Sequence, residues 1–450
     1  MSNLPTSWAD IKLSEVAQVT SGIGFPNEYQ GHTSGDLPFF KVSDISHAVL
    51  AHRGVLKTAN HYVSHEVAEK LKGKPLAPGS TVFAKIGEAV RLNRRAKVVT
   101  PCLIDNNVMA VKATAGINDR YVYQFLRTID FGESARSTTV PSLRKGDVEE
   151  LRFPLAPIAE QKRIADKLDT VLTRVDAVNT RLARVAPILK RFRQSVLAAA
   201  TSGRLTEDWR SSTGASITDW EMIPVSDACT KITDGEHITP ALASEGVPLI
   251  SAKDVREWGV DFSETKFVSE EFANTSRRRC DPSLGDVLVV SRGATVGRTC
   301  FVTEDRLFCL MGSVLLFKPD ASRVLPKFLA IFLASPVGLE QLTSASGATA
   351  QAAIYIRDAK NLPVSLGSLD EQTEIVRRVE TLFAFADRLE ARLQTAKTAT
   401  ERLTPAMLAK AFRGELVPQD PNDEPASELL RRLQQEAPPN QTKRGRKSAA

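Results

Sequence analysis

The chain has 450 residues, too many for one ordinary core, so two to four domains are expected. No apolar run reaches the roughly eighteen residues of a membrane span, and the start MSNLPTSWADIKL lacks the charged and apolar regions of a signal peptide, which points to a cytoplasmic protein with no membrane partner. The net charge of +6 is uneven, with 11 Lys and Arg against 4 Asp and Glu in residues 151–205 but 16 against 21 in residues 206–360; this permits an acidic partner such as nucleic acid, or a solvated basic helix face.

In chain order, Trp8 precedes the β-like run IKLSEV, and two further β-rich runs follow, LPFFKVSDI from Leu37 and PGSTVFAKIGEAV from Pro78. DRYVYQFLRTI from Asp119 has the pattern of a short helix. A long helix then opens with EQKRIADKLDTVLTRVD at Glu160, its apolar residues falling at Ile164, Leu168, Val171, Val175, Val178, Leu182, Val185 and Leu189, then Phe192 and Val196. Spacings alternate between four and three. That period is the seam of a coiled coil, where each apolar side chain faces a partner helix. Pro187 lies outside the seam, so a kink or restart is expected there, and Gly203 supplies a stop.

The same order then repeats. Trp220 precedes IPVSDA, VPLISAKDV begins at Val247, LGDVLVVSRGATVG at Leu284 and PKFLAIFLAS at Pro326. A second long helix, EQTEIVRRVETLFAFAD from Glu371, carries the seam Ile375, Val379, Leu382, Ala386, Leu389, Leu393 and Ala396, with Thr400, Leu403 and Met407 beyond. The two helices align without a gap from the Glu-Gln pairs, 160–161 and 371–372, to Gly203 and Gly414, which indicates duplication. Two separate amphipathic helices on separate cores would show the same period, but equal length and shared register favour mutual packing.

The expected fold is therefore mixed α/β. Two globular domains in a pseudo-twofold arrangement are separated by two long antiparallel helices forming a coiled coil. The expected boundaries are a first globule over 1–152, a spacer helix over 153–205, a second globule over 206–362, a second spacer helix over 363–416, and a short helix with a basic tail, KRGRK from Lys443, over 417–450.

Several chemistries lack their residues. GATVGRT at Gly293 has the wrong glycine spacing, and Arg in place of Lys, for a phosphate loop. The Asn/Asp-Pro-Pro-aromatic motif of an adenine methyltransferase does not occur, and Asp320, Asp358 and Lys360 make a chance nuclease set. His61 and His65 lack the Glu of a zinc helix, and the five cysteines contain no C-x-x-C pair, so buried thiols are expected and a metal site is not.

The duplicated helical regions, PLAPIAEQKRIADKL with KRFRQSVLAAATSGRL and LDEQTEIVRRVETLFAFAD with MLAKAFRGELVPQDPNDEPASELL, are similar to those of the specificity subunits of type I restriction-modification systems. The resemblance extends to STTVPSLRKGDVEEL from Ser137, VFAKIGEAV from Val82 and DGEHITPALASEGVPLISAKDV from Asp234, and so covers nearly the whole chain. It implies a non-catalytic DNA-reading subunit whose two target-recognition domains each read half of an interrupted, asymmetric site. It further implies helices that set the spacer and dock two modification (methyltransferase) subunits carrying S-adenosylmethionine, with restriction (motor-nuclease) subunits using ATP and Mg. No cofactor is expected in this chain. Two features depart from the family pattern: the second globule is net acidic, and its turn GATAQAAIYIRD from Gly347 lacks the Thr-Val-Pro-Ser-Leu phrase of Thr139 to Leu143.

The chemistry of base and phosphate contacts selects Arg, Lys, Asn, Gln, Ser and Thr. In the first globule the candidate DNA contacts are Arg91, Asn93, Arg94 and Arg95 of RLNRR, together with Lys41, Lys85, Thr138, Thr139, Ser142, Arg144 and Lys145 in the loops that match the family's DNA-facing regions. In the second they are His237, Thr239, Lys253, Arg292, Thr349, Gln351 and Tyr355, with Arg277, Arg278 and Arg279 as phosphate contacts. The competing reading is a coiled-coil scaffold whose globules bind proteins.

Overall fold

The computed structural model describes residues 4–134, 140–344 and 353–436. Thr138, Thr139, Thr349, Gln351 and the KRGRK tail lie outside the described residues. Two compact units account for the chain, one built from residues 1–181 and 396–450 and the other from 182–395. The boundary falls inside both long helices, Ile158–Thr201 and Leu369–Phe412, so each unit holds half of each helix.

In the first unit the chain enters through strand Ala9–Lys12, which pairs antiparallel with Arg152–Leu155 and so closes the globule at the two ends of its own segment. Between them a five-stranded sheet runs in the order Ala17–Ser21, Val108–Ala113, Thr81–Ala84, Arg95–Val98, Val55–Leu56. A second sheet, Tyr62–Val63, Leu37–Phe40, Leu103–Ile104, stands beside it. Val82, Ala96, Val98, Val108 and Ala110 bury one face of the larger sheet under helix Val42–His52, while Phe83, Met109 and Val111 on the other face meet helix Asp119–Leu126 and the halves of the long helices. This alternation is what a sheet buried on both faces requires.

The second unit repeats the plan. Glu221–Pro224 pairs with Pro363–Leu366, a four-stranded sheet runs Cys229–Asp234, Val314–Pro319, Val287–Val290, Thr299–Phe301, and a three-stranded sheet runs Lys266–Val268, Val247–Ile250, Cys309–Leu310. The counterparts match in detail: Trp8 meets Tyr121 edge-on at 6.4 Å and 79°, and Trp220 meets Phe328 at 6.4 Å and 78°.

Within each unit the helix halves run antiparallel. Ile164, Leu168 and Leu172 share a core with Leu408, Ala411 and Phe412 in the first; Val196, Leu197 and Ala200 share one with Ile375 and Val379 in the second. Both helices continue through Pro187 and Pro405 without a break. Each proline side is exposed, so the carbonyl that loses its partner faces water. The seam is only partly buried. Val178 departs from the expectation at 42% exposed, whereas Leu172, Leu197 and Leu408, outside the expected seam, are buried because the globule covers that side of the helix. Four of the five free cysteines are buried and Cys229 is half-buried; burial pushes the thiols of Cys102, Cys229, Cys280 and Cys300 up to about 12.

Candidate nucleic-acid interface

Each globule gathers the same set of loops, and backbone hydrogen bonds show how. In the first unit Gly22 packs so close to the Ile104–Asp105 backbone that a Cβ would stand 2.0 Å from the Asp105 carbonyl oxygen. The Asp105 amide donates to Phe40 O at 3.0 Å, and the Lys85 amide to Asn107 O at 2.9 Å. The Leu143 amide donates to Lys85 O at 2.8 Å and that of Gly87 to Pro141 O at 2.9 Å, forming a bridge between Ile86 and Ser142. Lys41, Lys85, Ser142 and Arg144 therefore stand on loops tied together, at one end of the sheets.

The second unit ties the equivalent loops with the equivalent bonds. A Cβ on Gly235 would stand 2.0 Å from the Leu310 carbonyl oxygen, Met311 donates its amide to Ile250 O at 2.8 Å, and Ser291 donates its amide to Ser313 O at 2.9 Å. Ile354 donates to Ser291 O at 2.9 Å, and Arg292 bridges Ala353. His237 reaches over Gly312, so the loops of His237, Lys253, Arg292 and Tyr355 meet as those of the first unit do. The missing Thr-Val-Pro-Ser-Leu phrase does not alter this backbone, because a bridge uses amides and carbonyls that any side chain supplies.

The side chains on this framework differ between units. Arg144 and Lys145 are exposed, Lys145 pairing with Glu149 at 3.4 Å, and Lys41 reaches Gln30 at 3.1 Å. In the second unit Arg292 and Tyr355 are exposed, and His237 Nε2 stands 2.9 Å from Asp234, which also receives Arg279 at 2.9 Å. Lys253 donates to the Glu264 carbonyl at 3.0 Å, and Thr239 and Arg278 are exposed. Sequence reading missed Ile238, 81% exposed beside His237, and Trp258, 67% exposed. Exposed apolar residues of this size on a loop are a signal only once their exposure is known.

One expected contact, Arg95, is corrected by its burial, and two others, Asn93 and Arg277, are engaged within the globule. Arg95 is buried at 4% exposure, its guanidinium over the Phe131 ring and donating to Asn93 Oδ1 and the Ile129 carbonyl. Asn93 is engaged by Asp130, Arg95 and the Phe131 amide, so it orders a turn. Arg277 donates to the Pro282 and Phe308 carbonyls and fastens a loop. Arg91 pairs with Glu88 at 3.2 Å, while Arg94 lines a separate cleft.

A second repeated constellation joins each globule to its helix. Trp8 Nε1 donates to Glu160 at 2.8 Å, and Trp220 Nε1 to Glu371 at 2.8 Å. Gln161 Oε1 accepts the Asn118 amide at 3.1 Å while its Nε2 donates to Ala156 O at 2.8 Å; Gln372 does the same with Leu325 at 2.8 Å and Gly367 at 2.9 Å. Burial holds the Glu160 carboxyl above the usual range, countered by donation from Trp8 and Gln419. Glu371 instead receives Arg210 and Thr206.

No group of His, Cys, Asp and Glu among the described residues is arranged to hold a metal ion, and no helix among them is long and apolar enough to cross a membrane. The family model for the type I restriction modification DNA specificity domain matches residues 5–186 and 217–397, once for each copy of the repeat. The specificity subunit of the type I restriction enzyme EcoBI of Escherichia coli is 31% identical over 436 residues, covering 92% of this chain and 87% of that one. That of EcoKI, from Escherichia coli (strain K12), is 32% identical over 288 residues, 62% of this chain and 61% of that one. Among solved structures, a chain from work on complex assembly and conformational transition of a type I R-M system gives a TM-score of 0.70 at 21% identity, covering 92% of this chain and 100% of that one. The HsdS subunit of Thermoanaerobacter tengcongensis gives 0.55 at 19% identity, covering 92% and 98%; at such identities both similarities concern the fold.

Proposed function

Because the chain belongs to the family of type I restriction-modification DNA specificity proteins, we propose that each of its two loop faces reads one half of an interrupted, asymmetric DNA site. The observation that carries this reading is the duplication itself: one backbone framework, tied by the same bridges, presents Lys85, Ser142 and Arg144 in one unit and His237, Arg292 and Tyr355 in the other. Identical frameworks with different side chains are what two readers of different base sequences need. The family's DNA role sets aside the scaffold reading.

Lys41, Lys145, Lys253, Thr239 and Arg278 supply phosphate and flanking contacts. The recognition domains occupy residues 1–152 and 206–362, and the helical repeats set the unspecified spacer and dock two modification subunits. Those subunits supply S-adenosylmethionine and transfer the methyl group; restriction subunits with ATP and Mg complete the nuclease. This chain itself performs no chemistry and works in the cytoplasm.

The test is to map methylated adenines on DNA exposed to the chain together with its modification subunits. A two-part motif with an unspecified gap is expected. A contiguous motif, or an unmodified genome, would sink the reading.

A further inference from the structure

A cleft of about 560 Å³ opens in the first unit against the halves of its long helices, and neither Lys41, Lys85, Ser142 nor Arg144 lines it. Four arginines do, Arg53, Arg94, Arg95 and Arg127, with Asp176 as the one carboxylate residue of the lining and Asp130 beside Arg95. Two are held in place: Arg95 as described above, and Arg127 by donating to Gln124 Oε1 at 3.0 Å with its guanidinium 5.7 Å from the Tyr123 ring centre. The side chains of Arg53 and Arg94 have no hydrogen bond or ion pair among the described residues. The buried Nε of Arg95 also lacks a partner, and burial, opposed by the neighbouring Asp130 and reinforced by Arg127, pushes this guanidinium down to about 10.

The second unit serves as a control for whether the fold needs these charges. Strand register pairs Phe83 with Arg95 and Val289 with Thr299, so Thr299 stands where Arg95 does. Counting along the helices from Asn118 and Leu325, whose amides meet the matching glutamines, places Ala330 and Ala334 where Tyr123 and Arg127 stand. The framework of the second unit thus forms without counterparts of Arg95 and Arg127, while Arg298, one residue before Thr299, stands where Arg94 does and donates to the Val255 carbonyl at 3.2 Å. Crowded like charges work against folding, so two arginines that the second unit does without, set beside Arg53 and Arg94, point to a ligand.

We propose that this cleft binds a small polyphosphate anion of the pyrophosphate class, either free or carried by a nucleotide. Guanidinium forks match phosphate oxygens two at a time, and the four arginines of the lining outnumber Asp176 and the neighbouring Asp130, which leaves an excess of positive charge suited to a multiply charged anion. The volume lies within the range of about 300–1,000 Å³ usual for small-ligand sites. A DNA duplex, by contrast, meets a protein over a broad open surface.

Calorimetric titration of the purified full chain with inorganic pyrophosphate at physiological ionic strength tests this. The variants are Arg53→Asn, chosen because Arg53 has a φ of 52° that Asn tolerates, and Arg94→Gln. Each single variant is expected to weaken binding about tenfold and the double variant about a hundredfold, from the usual strength of charge-assisted hydrogen bonds. The ligand-free melting temperature should hold, since neither side chain has a partner to lose. No binding by the wild type at millimolar pyrophosphate, or equal binding by the double variant, would overturn the proposal. Parallel titrations with nucleoside di- and triphosphates identify the source: tighter binding means a nucleotide-borne chain, equal binding a free anion. If duplex DNA displaces pyrophosphate and the variants weaken both by the same factor, the seat belongs to the DNA backbone and the small-anion proposal fails.

Discussion

Gln161 and Gln372 show how much a single side chain carries here. Each is fully buried and uses its amide as a clamp, accepting the backbone amide at the start of one helix and donating to a carbonyl just before its own. Water cannot replace either bond, and each orphaned backbone group costs about 1–3 kcal/mol. Gln161→Ala and Gln372→Ala are therefore each expected to remove about 2–4 kcal/mol, allowing for partial relaxation. Urea unfolding measures the loss, and hydrogen exchange at Asn118 and Leu325 assigns it to one unit; a loss below about 0.5 kcal/mol would contradict the clamp. The repetition of Glu-Gln was visible in the sequence, but its purpose was not. Polar residues at a helix start read as solvated until the globule that covers them is placed.

At the scale of elements, the heptad pattern marked the right helices and only part of the right face. Periodicity reports which residues share a stripe, not what covers it. Ile164, Leu168 and Val175 are buried as a coiled-coil seam demands, yet Leu172 is buried too, because the helix packs on the globule as well as on its partner. Val178 keeps the period and remains exposed. The contrast makes a test: Leu172→Ala is expected to cost about 2–4 kcal/mol and Val178→Ala less than about 0.5 kcal/mol, read from the shift of the urea midpoint at constant slope. Equal losses would mean that the seam, and not the globule, stabilises this stretch. Within the run at 91–95, Arg95 departs from expectation for a related reason. Charge in a turn looks exposed in sequence, but Arg95 begins a strand at the globule's interior, where Nη1 and Nη2 find acceptors and Nε does not.

At the scale of the whole molecule, duplication with divergence is the informative fact. The loop bridges that build each face join residues far apart in the chain, Ile86 to Ser142 and Arg292 to Ala353, so no local pattern announced them. What the sequence did expose was the repeat, and the structure turns the repeat into two frameworks, one in each unit. The two frameworks also differ in charge, since residues 206–360 carry 16 Lys and Arg against 21 Asp and Glu. On the proposed reading, the second face relies on placed groups such as Arg292 more than on a general positive field. Replacing residues 1–150 with the corresponding globule of a relative that has different specificity is expected to change one half of the methylated motif and leave the other half intact. Mapping modified adenines with the chimera and the same modification subunits measures this directly. A change in both halves would show that the faces read DNA jointly, and modular reading would then have to be abandoned. Retention of the original motif would place recognition outside the exchanged globule, and with it outside Lys85, Ser142 and Arg144.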